Sequence, residues 1–181
     1  MVGRISAFQR AGFRGAHGCR SRTPGEVAAA RRILRRRHRK GWGMTPKEIV
    51  QELARRLAAG DDTAVDEFVA EDMVNHAAGP RRQGREGWKQ ILANIENDLG
   101  RTEVEHHRLI AEGDLVAHHM TMTGTHQAST MPLLYGVPVT HHPVAWTYIH
   151  IWRIADGKIV EHWACRDDVG LLRQVGAWPT K

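Results

Sequence analysis

Residues 144–167 read VAWTYIHIWRIADGKIVEHWACRD, two runs of alternating side chains on either side of Asp156-Gly157. Asp-Gly between such runs is the strongest short-range signal for a two-residue β-hairpin, because both central residues of the favoured turn need positive φ. Counting outward pairs Ala155 with Lys158, Ile154 with Ile159, Trp152 with Glu161, His150 with Trp163, Tyr148 with Cys165 and Trp146 with Asp167. Side chains alternate along strands. Trp146, Tyr148, His150, Trp152, Glu161, Trp163, Cys165 and Asp167 are therefore expected on one face, and Ile149, Ile151, Arg153, Val160 and Arg166 on the other. An aromatic wall with a few polar groups is the make-up of a small-molecule pocket, and equally of a core holding one satisfied histidine.

Upstream of the hairpin, Val104 to Ala111 and Leu115 to Thr123 read as strands around Glu112-Gly113-Asp114, and residues 124–143 read as loop. Helices come earlier. Thr45, Pro46 and Glu48 form a helix-start signature, with Ile49, Val50, Leu53 and Leu57 on one face and Gly60 at the end. Asp62 opens a short helix burying Val65, Phe68 and Val69. Trp88, Ile91, Leu92, Ile95 and Leu99 recur at helical spacing up to Gly100. Three N-terminal helices followed by an antiparallel meander predict an α+β fold, a curved antiparallel sheet wrapped around the helices to form a cone with an apolar pocket.

Charge divides the chain in two. Residues 1–43 hold twelve Lys/Arg against one acid, Glu26, a net of +11, whereas residues 44–181 hold fourteen against nineteen, a net of −5. A mildly acidic domain is a poor partner for phosphates, so no nucleic acid is expected for the core. The extension has too little apolar residue to order itself. It reads as a solvated tail, a functional basic arm or transit peptide, or sequence upstream of a true start at Met44. An export signal is disfavoured, since no apolar stretch follows the arginines. Cys19 and Cys165 provide no disulfide framework, and no apolar run is long enough for a membrane helix. A cytoplasmic protein without membrane contact is the expectation.

Further blocks extend the pattern: Phe68-Val69-Ala70-Glu71-Asp72-Met73-Val74-Asn75-His76, Gly84-Arg85-Glu86-Gly87, Gly113-Asp114-Leu115-Val116, Gly124-Thr125-His126, and Asp167 followed by Gly170-Leu171-Leu172-Arg173-Gln174-Val175-Gly176-Ala177. With Asp156 to Trp163 they stand in the order of the SnoaL-like polyketide cyclases (ester cyclases), and the chain resembles that family over about residues 45–178. The resemblance implies the nuclear-transport-factor-2-like cone and intramolecular aldol ring closure without metal or cofactor. It further implies an aspartate acid/base at Asp167, a strand histidine at His150, and a polar pair near the pocket at Asn75 and His76. One departure is Ala164, where relatives often carry an acid.

A carboxylate serves as both base and acid in such chemistry when apolar surroundings raise its pKa. Asp167 is expected beside Trp146 and Trp163, with His150 orienting the carbonyl or sharing the proton. Trp146, Tyr148, Trp163, Asn75 and His76 would bind a hydrophobic polyketide-like substrate. No metal is expected, because His106-His107, His118-His119 and His141-His142 are neighbours whose rings point to opposite faces. Alternatives on the same cone are a Tyr148-assisted isomerase, an epoxide hydrolase, or a non-catalytic binding domain. The epoxide hydrolase is disfavoured by Arg153 and Arg166 lying opposite Asp167. Apolar Ile149, Ile151 and Val160 on the outer face predict a homodimer.

Overall fold

The computed structural model describes residues 43–178. The readings placed on residues 1–42, Cys19 included, lie outside the described residues.

Helix α1 (Pro46–Ala58) starts as its sequence predicts. Thr45 Oγ1 accepts from the Glu48 N–H at 3.3 Å, and Glu48 Oε2 accepts from the Thr45 N–H at 2.6 Å. Each satisfies a donor that the first helical turn leaves unpaired. Helix α2 (Thr63–Phe68) ends one residue before strand β1 (Val69–Asn75), an element the sequence reading lacked. Its burial follows neither a helical nor a strand period, because a register irregularity lies between Val69 and Val74. Helix α3 (Gly84–Leu99), β2 (Glu103–Glu112), β3 (Leu115–Thr125), β4 (Pro143–Ala155), β5 (Lys158–Arg166) and α4 (Asp168–Gln174) complete the order. Residues 126–142 hold no helix or strand, as expected of a loop.

The five strands form one curved, unclosed sheet in the order β1-β5-β4-β3-β2. The α+β class and the helix-lined curved sheet thus stand as predicted. One edge is a correction, because β1 runs parallel to β5 where an antiparallel sheet was expected.

Alternation along β4 is strict. Val144, Trp146, Tyr148, His150, Trp152 and Ile154 face inward and are buried, while Ile149 and Ile151 face out. Helix α3 lays Trp88 on this inner face, edge-on to Trp152 at 5.2 Å and to His162 at 4.8 Å between ring centroids. Truncating so large a buried ring costs roughly 3–5 kcal/mol in comparable cores.

The last hairpin turns at Asp156 (φ 49°) and Gly157 (φ 80°), the paired positive φ that Asp-Gly supplies. Ala155–Lys158 and Ile154–Ile159 pair as counted, but Arg153 then opposes Glu161, so Val160 is the extra residue of a β-bulge. Beyond it every β5 side chain changes face. His162 opposes Trp152, Ala164 opposes His150 and Arg166 opposes Tyr148, whereas Trp163 opposes outward Ile151. The expected inner positions of Glu161, Trp163 and Cys165, and the outer one of Arg166, are corrected accordingly. The reason is electrostatic. Straight pairing would place the Glu161 carboxylate against Trp152, and an isolated buried carboxylate is costly. The bulge instead sets Glu161 beside Arg153 and His76.

Among the described residues no helix is long and apolar enough to cross a membrane.

Candidate functional site

Strand β4 supplies the site's back wall. The Trp146 and Tyr148 rings lie 4.8 Å apart, Tyr148 stacks on His150 at 5.1 Å, and His150 stacks on Trp152 at 5.0 Å. The Tyr148 hydroxyl is buried without a hydrogen-bond partner. Burial pushes its pKa far above the usual phenol value, so it is a proton donor across the physiological range.

From His150 a chain of polar groups runs across the same face, over β5 to β1. Asn75 closes β1, is 1 % exposed, and its Oδ1 accepts from the Ala77 N–H at 3.1 Å. Nδ1 of His162 lies 3.0 Å from the same oxygen, and Nε2 of His162 lies 2.8 Å from Nδ1 of His150. The tautomers follow from these partners. A carbonyl oxygen only accepts, so His162 Nδ1 carries its proton; a neutral His162 then accepts at Nε2 from His150 Nδ1–H. The remaining lone pair of His150 is on Nε2. Both rings are held neutral. Burial depresses His162 to about 3 and carries His150 well below its usual value, and the proximity of other histidines adds to both.

A cleft of about 580 Å³ opens at the Trp146 end of this wall, and of the four rings only Trp146 lines it. Ile91 and Ile95 of α3, Met131 and Leu133 of the loop between β3 and β4, and Trp146 give it an apolar lining. That loop is fixed by Asp98, whose carboxylate accepts from the Thr130 N–H at 2.8 Å, the Thr130 hydroxyl at 2.6 Å and the Met131 N–H at 2.7 Å. His126, buried completely, ties Ser129 to Thr140 from the other side. Across the cleft, residues 77–82 are clamped by Gln83, which accepts from the Asn75 N–H at 2.8 Å and donates to the Asn75 carbonyl at 3.0 Å.

The residues singled out from sequence separate into two groups, with Asp167 apart from both. Asn75, Trp146, Tyr148 and His150 come together on the inner side. His76 and Trp163 meet each other instead on the outer side, stacked at 4.6 Å, with His76 Nε2 3.0 Å from Glu161 Oε2. Asp167 is exposed and caps α4, its Oδ1 accepting from the Gly170 N–H at 2.8 Å. A Cβ at Gly170 would meet that carboxylate. The neighbour Asp168, not Asp167, reaches Trp146, accepting from its indole N–H at 3.2 Å and from Arg166 at 3.0 Å. His162, Arg166 and Asp168 were missing from the sequence-based set. A charged Glu161 on a supposedly apolar face was the one signal that could have exposed the bulge and so found His162 and Arg166. Among the described residues no three His, Cys, Asp or Glu side chains converge as a metal-binding group.

The model of the SnoaL-like polyketide cyclases matches residues 47–175. The chain belongs to this family. Among its curated relatives, the nogalonic acid methyl ester cyclase of Streptomyces nogalater is 30% identical over 124 residues, covering 64% of this chain and 86% of that protein. The aklanonic acid methyl ester cyclase DnrD of Streptomyces peucetius is 28% identical over 146 residues, covering 75% and 94%. Among solved structures, IdmH of Streptomyces antibioticus, a candidate polyketide cyclase, superposes with a TM-score of 0.62 at 30% identity, over 74% of this chain and 99% of that one. The SnoaL-like fold and a cyclase-type function follow for this chain.

Proposed function

We propose that this SnoaL-like protein closes a ring in a hydrophobic polyketide-like molecule by cofactor-free aldol chemistry. The observation that carries the reading is the buried pair of unspent groups on one wall, the Tyr148 hydroxyl without a partner and the His150 ring with its lone pair on Nε2. An aldol closure needs a base at the carbon beside a carbonyl, a donor for the developing oxyanion, and an acid for the new alkoxide.

In this reading Tyr148 O–H donates to the carbonyl oxygen. Asp167 removes the proton, the carbanion attacks the second carbonyl carbon, and the carboxylic acid returns the proton to the alkoxide. Atoms balance, since product and substrate are isomers. Asp167 Oδ2 is the oxygen for this work, Oδ1 being engaged by the Gly170 N–H. His150, with Nε2 as an acceptor, shares the travelling proton rather than polarising a carbonyl. The Asn75–His162 chain keeps it in that tautomer. Trp146 packs against the substrate from the cleft wall, while Asn75 acts through His162. His76 and Trp163, stacked on the outer side, take no part in binding.

The test is to incubate the full chain with nogalonic acid methyl ester or aklanonic acid methyl ester, without added metal or cofactor, and follow products by liquid chromatography and mass spectrometry. A new species of unchanged mass supports ring closure, and its absence with both probes counts against it. The exposure of Asp167 favours a second reading, a binding domain without turnover. Quenching of tryptophan fluorescence by both probes, with no product, would select it.

We also place the protein in the cytoplasm, consistent with a free, exposed Cys165. A homodimer through the outer sheet face is part of the same reading.

A further inference from the structure

Three arginines line the cleft, Arg81 and Arg82 from the loop after β1 and Arg166 from the end of β5, and no acidic residue lines it with them. Arg166 is partly neutralised by Asp168 at 3.0 Å, and its guanidinium lies over the Trp146 ring at 5.3 Å. Arg81 and Arg82 have no acidic partner among the described residues. Their backbone is also held in place. The Arg82 N–H donates to the Gly79 carbonyl at 3.0 Å, and Gln83 Nε2 donates to the Ala78 and Gly79 carbonyls at 3.3 Å each. The Arg82 backbone packs so close to Gly87 that a Cβ there would collide with it. Neighbouring unpaired cations on a fixed loop repel one another, and a bound anion relieves that repulsion. The planar guanidinium fork matches a carboxylate, to which it donates two parallel hydrogen bonds.

We propose that this arginine side of the cleft is a carboxylate subsite, so that the preferred substrate is an ionised polyketide acid rather than its methyl ester. The inference rests on the cyclase reading for the identity of the reacting molecule. It sets this chain apart from the two curated relatives named above, whose names specify methyl esters. The apolar lining takes the carbon skeleton, and the arginines hold its charged end.

The experiment compares aklanonic acid methyl ester with the corresponding free acid as probes of the full chain. Dissociation constants come from quenching of tryptophan fluorescence, and turnover is followed in parallel. The acid is expected to bind at least about tenfold more tightly than the ester, the scale of one charge-assisted contact. Raising NaCl from 50 to 500 mM should weaken acid binding several-fold more than ester binding. In Arg82→Gln, and separately in Arg81→Gln, the ratio of the two affinities should fall toward one. Equal or tighter binding of the ester by the wild type, or an unchanged ratio in both variants, overturns the subsite. A preference for the acid without turnover upholds the subsite and counts against the cyclase reading. Turnover without the preference does the reverse, and binding of neither probe overturns the subsite.

Discussion

His162 Nε2 stands 2.8 Å from His150 Nδ1, and this contact decides which nitrogen of His150 is left to act as a base. Its far side is set by Asn75, whose oxygen lies 3.0 Å from His162 Nδ1. His162→Phe keeps an aromatic ring against Trp88 and removes the acceptor. We expect it to lower stability by about 1–3 kcal/mol, the usual cost of leaving a buried donor unpaired. The nitrogen chemical shifts of His150 should report a changed or mixed tautomer, and kcat should fall more than ligand affinity. Unchanged shifts would show that His150 is oriented by something else.

Acid should unfold the protein in a defined window. Burial holds His118 at about 4 and His162 at about 3, both below the 6.5 of an unburied ring. The unfolded chain therefore binds more protons than the folded one as pH falls. Stability from this source is complete above about pH 6.5 and is lost toward the folded values, with a limiting slope of about 1.4 kcal/mol per pH unit per histidine. Calorimetry should show Tm falling steadily from pH 6.5 to 4.5. A flat Tm over that interval would mean that these rings are not buried neutral.

Asp167 has a structural duty that can be separated from a chemical one. Asparagine caps a helix as well as aspartate does, so Asp167→Asn should leave stability within ~0.5 kcal/mol, whereas Asp167→Ala loses the cap and about 0.5–2 kcal/mol. Urea denaturation checks this. Equal losses in both variants would show that charge, not the hydrogen bond to Gly170, secures the start of α4.

The outer sheet face carries Ile149 at 48 % and Ile151 at 39 % exposure. Sedimentation should give twice the 20.4 kDa chain mass at micromolar concentration, and Ile149→Asp should shift it to one chain. A monomeric wild type would remove this face as a subunit contact.

Much of this was legible in the residues because local signals agreed. The Thr45–Glu48 box, the helical spacing from Trp88 to Leu99 and the Asp156-Gly157 turn each named its own element. Strand β4 was readable for the same reason, since strict alternation left no second choice of face. What escaped depends on contacts distant in sequence. β1 is a strand because β5 pairs with it, some ninety residues later, and its own burial pattern has no period. The Val160 bulge is one residue in size, yet it exchanged His162 for Trp163 and Arg166 for Asp167 on the inner face. A period of two passes any one-residue slip to every position beyond it. Arg81 and Arg82 were unread for a plainer reason, since a loop has no period at all.

The central claim is that Asp167 and His150 move a proton without help from a cofactor. Its most direct measurement is kcat for Asp167→Asn beside the wild type, on whichever methyl ester or acid the wild type converts, with probe affinity determined on the same samples. Loss of at least about 100-fold in kcat, with affinity within about threefold and folding intact, is the expected result, as for removal of a base that acts only in the transition state. Wild-type turnover in Asp167→Asn would contradict the account and would leave the chemistry to Tyr148 and His150 alone.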